Sequence, residues 1–586
     1  MKLLIVFLVY LIPLAKGCFD QGTCAKKIGM LKSQNQTLLT LFASLMEEEI
    51  PFISTSSKVL SSKTNAKNDV ITDYCPNKAA FEWITVYQAT IKMNSSIQFN
   101  TNGFNSCFKT MKVQFHSYAP GGIDGGDQWG YLHFTVPLPS KLVCSDGYVI
   151  GTKYATRHLD VGTIDHITKK MHLNITYLPG EYNDILQNGL QIMVKPCGSG
   201  LGTIQSIIAT VDLFYNKNAT LIRDANKKFL TYRGVYDQFT TRIHPEKVTA
   251  INKNKIKSGD NLQVVKLDGL DPLIAWGTGG RTGHTAIAVW DKNHSQLYVC
   301  ESTDKSPFGT YWPPPYGIIK TPFDQWFAQA VNASFVVNIL PLSTEAAAGW
   351  NNNDFWNWFE TVEGMPYGYH VMLYSFLDTH DPAKNLPKPL NDETINFILP
   401  YLDRIVRNDN TSIGSNMYSL IGEGLNHRLK TNCIGNNMQN CLSDALVKRN
   451  LSYAEATAIP EEDQWKYDSN GTNAGNYSMM CSAFVQNAYK VAFSKSGKIL
   501  PKELNSHEFT PKDVYQQQIF DVTGTRFDNI SCPSNIIVDK DGRGTYCQMI
   551  GDFILELPGF NSIKPYPHMN DHCTAQWPGY EVTRPC

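Results

Sequence analysis

Two segments, far apart in a chain of 586 residues, constrain its folding most: Gly283-His284-Thr-Ala-Ile-Ala-Val-Trp290 and Met480-Cys481-Ser-Ala-Phe-Val-Gln-Asn-Ala-Tyr489. The first reads as a strand opening on a histidine, the second as a helix opening on a cysteine. A thiol at a helix N-terminus meets free N–H groups and the positive end of the helix dipole, which favour the thiolate, and a nearby imidazole can hold it as an ion pair. Read singly, a histidine on a strand or a cysteine on an amphipathic helix is more often a packed residue, and a secreted cysteine is more often half of a disulfide. Only a fold that brings sheet and helix together gives the two a common chemistry, and that chemistry is nucleophilic.

The flanks extend the pattern. Lys257-Ser-Gly-Asp260 is a turn into an alternating strand, and a Gly-rich loop then leads to His284. The strand Gln296-Leu-Tyr-Val-Cys-Glu301 follows across the turn Asp291-Lys-Asn-His-Ser295, so the two strands pair antiparallel. His284 and Glu301 then lie on neighbouring strands, where a carboxylate fixes the tautomer and orientation of an imidazole. Cys481, His284 and Glu301 are thus expected to act as nucleophile, base and orienter.

This order of motifs resembles the circularly permuted NlpC/P60 papain-like superfamily, in particular its YiiX/YebB-like branch, in which His precedes Cys. The elements are Ser-Gly-Asp260, the loop into Gly283-His284, Glu301, Tyr316-Gly-Ile-Ile, Pro322-Phe-Asp-Gln-Trp326, and the Cys481 helix. Gly364-Met-Pro-Tyr367-Gly-Tyr369 looks like that branch's Tyr-containing strand, which gives Tyr367 or Tyr369 an expected role in substrate or oxyanion binding. The resemblance runs from about 257 to about 493 with a long insertion. It implies an α+β fold in which an antiparallel sheet packs on the nucleophile helix, and a hydrolase of amide bonds, with bacterial wall peptides as one substrate class. A lipid-directed acyl hydrolase or acyltransferase of the same fold, or a non-catalytic secreted binding glycoprotein, are the alternatives. No cofactor is expected.

The N-terminus, Met1-Lys2 followed by Leu3 to Ile12 and then Ala15-Lys-Gly17, has the charge, apolar core and small-residue exit of a secretory signal peptide. No later stretch is long and apolar enough to span a bilayer. Sequons at Asn35, Asn94, Asn174, Asn218, Asn293, Asn332, Asn410, Asn450, Asn470, Asn476 and Asn529 fit a glycosylated protein of the extracellular or lysosomal lumen. Of the 14 cysteines, local pairing is expected for Cys18 with Cys24, Cys433 with Cys441, Cys532 with Cys547, and Cys573 with Cys586. Cys75 with Cys107 and Cys144 with Cys197 come next, which leaves Cys300 and Cys481 as free thiols. No C-x-x-C or H-E-x-x-H supports a metal site.

A formal net charge of −1 gives no electrostatic hint of nucleic acid, so the expected partner is a peptide, amide or acyl-lipid substrate. After the leader (1–17), residues 18–245 read as a helical segment (24 to 65) followed by a β-rich accessory domain. Residues 246–500 read as the catalytic domain with an insertion at 341–475, and 501–586 as a disulfide-containing extension. Residues 246 to 586 are expected to fold alone. Gly121-Gly-Ile-Asp-Gly-Gly126 reads as a strand connection, and Gly277-Thr-Gly-Gly-Arg-Thr-Gly283 as close backbone approach rather than a phosphate cradle, because it lacks Gly-Lys-Ser/Thr and feeds a strand. Trp350, Phe355, Trp356, Trp358 and Phe359 read first as helix core and second as a cleft wall, and Asp539-Lys-Asp-Gly542 as a hairpin turn rather than a calcium loop.

Overall fold

The computed structural model describes, with short breaks, residues 86–100, 110–118, 129–135, 147–160, 170–195, 219–242, 252–304, 312–371, 422–467, 476–527 and 536–569. These form an α+β protein of antiparallel sheets and helices, and they fall into two compact units that part at residue 216.

The first unit is built of strands: β1 (Val86–Ile91), β2 (Ser96–Asn100), β3 (Thr110–Tyr118), β4 (Trp129–Thr135), β5 (Gly147–Gly151), β6 (Thr156–Asp160), β7 (Lys170–Thr176) and β8 (Leu190–Lys195). They make two four-stranded antiparallel sheets, ordered β1-β8-β5-β6 and β2-β3-β4-β7. Alternation explains the pairing of the sheets. Val113, Phe115, Leu132 and Phe134 of one sheet and Tyr148, Ile150, Ile192 and Val194 of the other point into a single buried cluster, while Gln114 and His133 between the first four are only half-buried.

The second unit opens with helix α1 (Ala219–Tyr232) and centres on a sheet of seven strands. These are β9 (Asp260–Val265), β10 (His284–Trp290), β11 (Leu297–Thr303), β12 (Gly317–Pro322), β13 (Val336–Leu340), β16 (Ile536–Val538) and β17 (Thr545–Ile550). A separate two-stranded ladder joins β14 (Lys466–Tyr467) to β15 (Asn476–Tyr477). The large sheet runs β12-β11-β10-β9-β13-β17-β16, antiparallel throughout. Its middle strands are buried on both faces, which accounts for the near-continuous apolar run of β10. The polar residues of β9 survive there by bonding to one another and to β10 and its approach. Asn261 Nδ2 donates to Thr285 Oγ1 (2.9 Å), Gln263 Nε2 to Asn261 Oδ1 (2.7 Å), and Thr282 Oγ1 to Gln263 Oε1 (2.6 Å).

Around the sheet lie α2 (Leu270–Gly277), α3 (Phe323–Asn332), α4 (Asn352–Val362), α5 (Cys481–Ala492) and α6 (Pro511–Gln516). Helix α4 carries the aromatic cluster, and it is core: Phe355, Trp356 and Phe359 are buried, and Trp358 stacks on Phe484 of α5 with ring centres 5.6 Å apart. Helix α5 is tied to the start of β9 by Tyr489 Oη, which donates to the Gly259 carbonyl (3.0 Å), and to the segment after α6 by reciprocal amide bonds between Gln486 and Gln517.

Two boundaries differ from those read in the sequence. The division falls at 216 rather than 245, because α1 belongs to the second unit: Arg223 and Lys227 pair with Asp552, and Asn226 Nδ2 donates to the Leu267 carbonyl (3.0 Å). Residues beyond 500 are part of the seven-stranded sheet rather than an extension of it. Strand β17 pairs with β13, and Arg526 forms a buried ion pair with Asp260 at the head of β9. Strand periodicity in short segments cannot say which distant strand a segment will join, and α1's partners lie hundreds of residues away.

Cys433 and Cys441 form a disulfide, Cys547 is disulfide-bonded, and among the described residues Cys300 and Cys481 are free thiols. Asp539 and Gly542 make the β16–β17 turn, with Gly542 N donating to the Asp539 carbonyl (2.9 Å). The side chains of Asn94, Asn174, Asn293 and Asn332 are exposed, and Asn476 lies in β15. Outside the described residues lie the segments read as leader (1–17), helix (24 to 65) and strand connection (Gly121 to Gly126), with Tyr369, Cys18, Cys24, Cys75, Cys107, Cys144, Cys197, Cys532, Cys573 and Cys586. The same holds for Asn35, Asn218, Asn410, Asn450, Asn470 and Asn529. No helix of the described residues is long and apolar enough to cross a membrane.

Candidate active site

Strand β10 begins at His284 and α5 begins at Cys481, and the fold brings these two starts together. The Cys481 Sγ lies 3.9 Å from the carbonyl of Gly283, and the N–H of Thr285 donates to it, so the thiol straddles the backbone of His284. Gly283 also lets the backbone of α2 come close to the start of β10: a Cβ there would stand 2.1 Å from the Asp271 carbonyl oxygen.

The Cys481 end is positioned from its other side by the segment that carries Tyr367. Tyr367 bridges to Met479 in parallel, Gly368 N donates to the Met479 carbonyl (3.0 Å), and Ser302 Oγ donates to the same carbonyl (2.8 Å). A side chain at 368 would collide with Met479, its Cβ 2.3 Å from that backbone nitrogen. The phenol of Tyr367 hydrogen-bonds the thiol of Cys481.

The β10–β11 hairpin forms with Ile287 opposite Cys300, which sets Glu301 diagonal to His284 on one face. His284 Nε2 lies 2.6 Å from Glu301 Oε2, and Trp326 Nε1 of α3 donates to Glu301 Oε1 (2.8 Å). Burial alone would raise the Glu301 carboxyl, but the His284 bond, the nearby Lys266 ammonium and the indole N–H together hold it below its ordinary value. A carboxylate accepting from both sides assigns the imidazole proton to Nε2 and leaves Nδ1 as the basic nitrogen.

The electrostatics reverse one expectation. Instead of a preformed thiolate–imidazolium pair, burial pushes the Cys481 thiol up to about 11, against the N–H donors of Thr285 and Ser482 and the charge of Lys266. Burial and Lys266 bring His284 down to about 4, against Glu301. Among the described residues the thiol's partners are the Gly283 carbonyl, the Thr285 and Ser482 N–H groups and Tyr367, with no hydrogen bond to the imidazole. Between those two values both the thiol and the imidazole are uncharged. Helix-dipole stabilisation is smaller than the desolvation of a fully buried thiolate, and desolvation wins.

Lys266 and Trp326 were not assigned from sequence. Lys266 is buried, donates to Thr303 Oγ1 (3.0 Å) and lies over the rings of Trp312 and Phe335 at 5.7 Å each. Its signal was a single cation just past the end of β9, six residues after Asp260. Trp326 stood in the motif Pro322-Phe-Asp-Gln-Trp326, whose reach to Glu301 depends on α3 packing against β11. Compared with protein-family models, curated proteins and solved structures, the chain matches none of them.

Proposed function

We propose that the chain is a papain-like cysteine hydrolase, built on a permuted NlpC/P60 arrangement, that cleaves an amide bond. The observation that carries this reading is the 2.6 Å His284–Glu301 bond with the Cys481 thiol held across the His284 backbone at the start of α5. In this reaction the thiol attacks the substrate carbonyl while its proton passes to His284 Nδ1, and the oxyanion takes N–H donors at the start of α5, that of Cys481 first. His284 then gives the proton to the departing amine as the C–N bond breaks, which leaves a thioester on Cys481. Water attacks that thioester, losing a proton to His284, and the thiol and a carboxylic acid are restored. Glu301 stabilises the imidazolium of each half, held in place by Trp326.

The secretory or lysosomal lumen is the proposed place of action, supported by the leader, the exposed sequons and the Cys433–Cys441 disulfide. The test is turnover of a panel of wall-peptide amides and acyl lipids by the full chain. Cleavage of an amide that disappears in Cys481→Ala, with an unchanged melting curve, supports the proposal. Ester-only cleavage moves the assignment to an acyl hydrolase, and turnover that survives Cys481→Ala rejects it.

A further inference from the structure

A second functional surface lies in the first unit, on the outward face of the sheet β2-β3-β4-β7. Register across β3, β4 and β7 places three rows of side chains there. One row is Gln114, His133 and His172, the next is His116, Tyr131 and Asn174, and the third is Lys112, Thr135 and Lys170. Strand β2 adds Ser96 beside Gln114 and Gln98 beside Lys112. Among the described residues this face therefore carries three histidines, two lysines and no carboxylate.

The imidazoles form one cluster. His133 meets His172 edge-on with ring centres 4.3 Å apart, Tyr131 lies 4.6 Å from His133, and His116 stacks on Tyr131 at 5.0 Å. His116 and His172 are exposed, and His133 is half-buried between them. The groups that face His133 are all neutral or basic: His172 and Gln114 opposite, and His116, Lys112, Lys170 and Asn174 at the diagonals. Burial and the charges of His172, Lys170 and His116 lower the proton affinity of His133. A native sheet face gains nothing from crowding like charges on adjacent strands, since such pairs are destabilising. A bound polyanion removes that repulsion.

We propose that this face binds an acidic polysaccharide in mildly acidic solution and releases it near neutrality. Histidine is the side-chain type that gains charge between about pH 8 and 5, and three of them stand on this face beside two lysines. The remaining positions are amides and hydroxyls, which donate to and accept from sugar hydroxyls, and Tyr131 gives one ring to stack on. Among the nine positions of these three rows no aliphatic side chain is present to enter a bilayer, and Tyr131 is the one ring besides the imidazoles. The described residues hold no group of three ligands set for a metal ion.

The experiment measures binding of a heparin oligosaccharide to the full chain by calorimetry at about pH 5 and about pH 7.5. It uses Asn174→Gln protein, so that a glycan on the same face does not mask it. The expected result is affinity about tenfold or more tighter at the lower pH, weakened by salt, with protons taken up on binding. His133→Gln with His172→Gln reduces the pH dependence to what His116 alone supplies, and His133→Lys with His172→Lys gives binding at both values. Equal affinity at the two values, binding indifferent to both double variants, or tighter capture by phosphatidylserine vesicles or single-stranded DNA would overturn the proposal.

Discussion

At Cys481 the decisive quantity is desolvation. With the thiol pushed up to about 11 and His284 brought down to about 4, iodoacetamide labelling of Cys481 is expected to climb with pH well beyond 8.5, the ordinary thiol midpoint of about that value. Replacing Lys266 by Met removes a cation that favours the thiolate and disfavours the imidazolium. The expected outcome is a further rise of the Cys481 midpoint and a rise of the His284 midpoint, read by alkylation and by imidazole NMR, while Lys266→Arg changes neither greatly. His284 also links stability to acid. Its folded value lies below the ordinary 6.5, so its contribution is complete above about 6.5 and is lost as pH falls through about 4, on the order of 3 kcal/mol. Denaturation midpoints are expected to fall more steeply over that window in the native chain than in His284→Gln, and parallel slopes would refute it. The placing of His284 and Cys481 at the starts of a strand and a helix was legible from the period of each element, and that of Glu301 on the neighbouring strand from the hairpin, although β11 runs two residues past it. Their charge states were not, since burial depends on what α3, α5 and the Tyr367 segment cover.

Among the elements, the approach of α5 to β10 involves a place where backbone meets backbone, at Gly368 and Met479. Gly368→Ala is expected to cost about 1–3 kcal/mol, because its Cβ would displace the Met479 strand that ends at Cys481. The loss should appear as a lower melting temperature together with faster alkylation of a less buried thiol. A fully stable Gly368→Ala with native alkylation kinetics would show that the close approach is not needed. The hairpin β10–β11 was readable from alternation and the Asp291–Ser295 turn, and α4 from its aromatic spacing. The order of strands was not: β9 sits between β10 and β13, and β17 beyond β13, arrangements fixed by long-range register rather than by any local pattern.

For the whole molecule, the second unit depends on segments at both ends of its range. A chain begun at 216 is expected to melt cooperatively. One begun at 246 loses α1, with buried Ile222, Phe229 and Leu230, and should melt lower or aggregate. Stopping at 500 removes β16, β17 and the Arg526 partner of buried Asp260, and is expected to abolish folding, since an unpaired buried carboxylate costs several kcal/mol. Composition located the β-rich first part and the mixed second part, but linker-like polarity near 245 gave no sign that α1 packs forward. The central claim, that Cys481 is the nucleophile of an acyl-transfer reaction, is tested most directly by acid-quenching turnover of a cleaved panel substrate and weighing the intact protein. The account predicts a thioester adduct that maps to Cys481, absent in Cys481→Ala, and formed about 10²–10⁴-fold more slowly in His284→Ala. Steady turnover with no adduct, or an adduct on another residue, would contradict it.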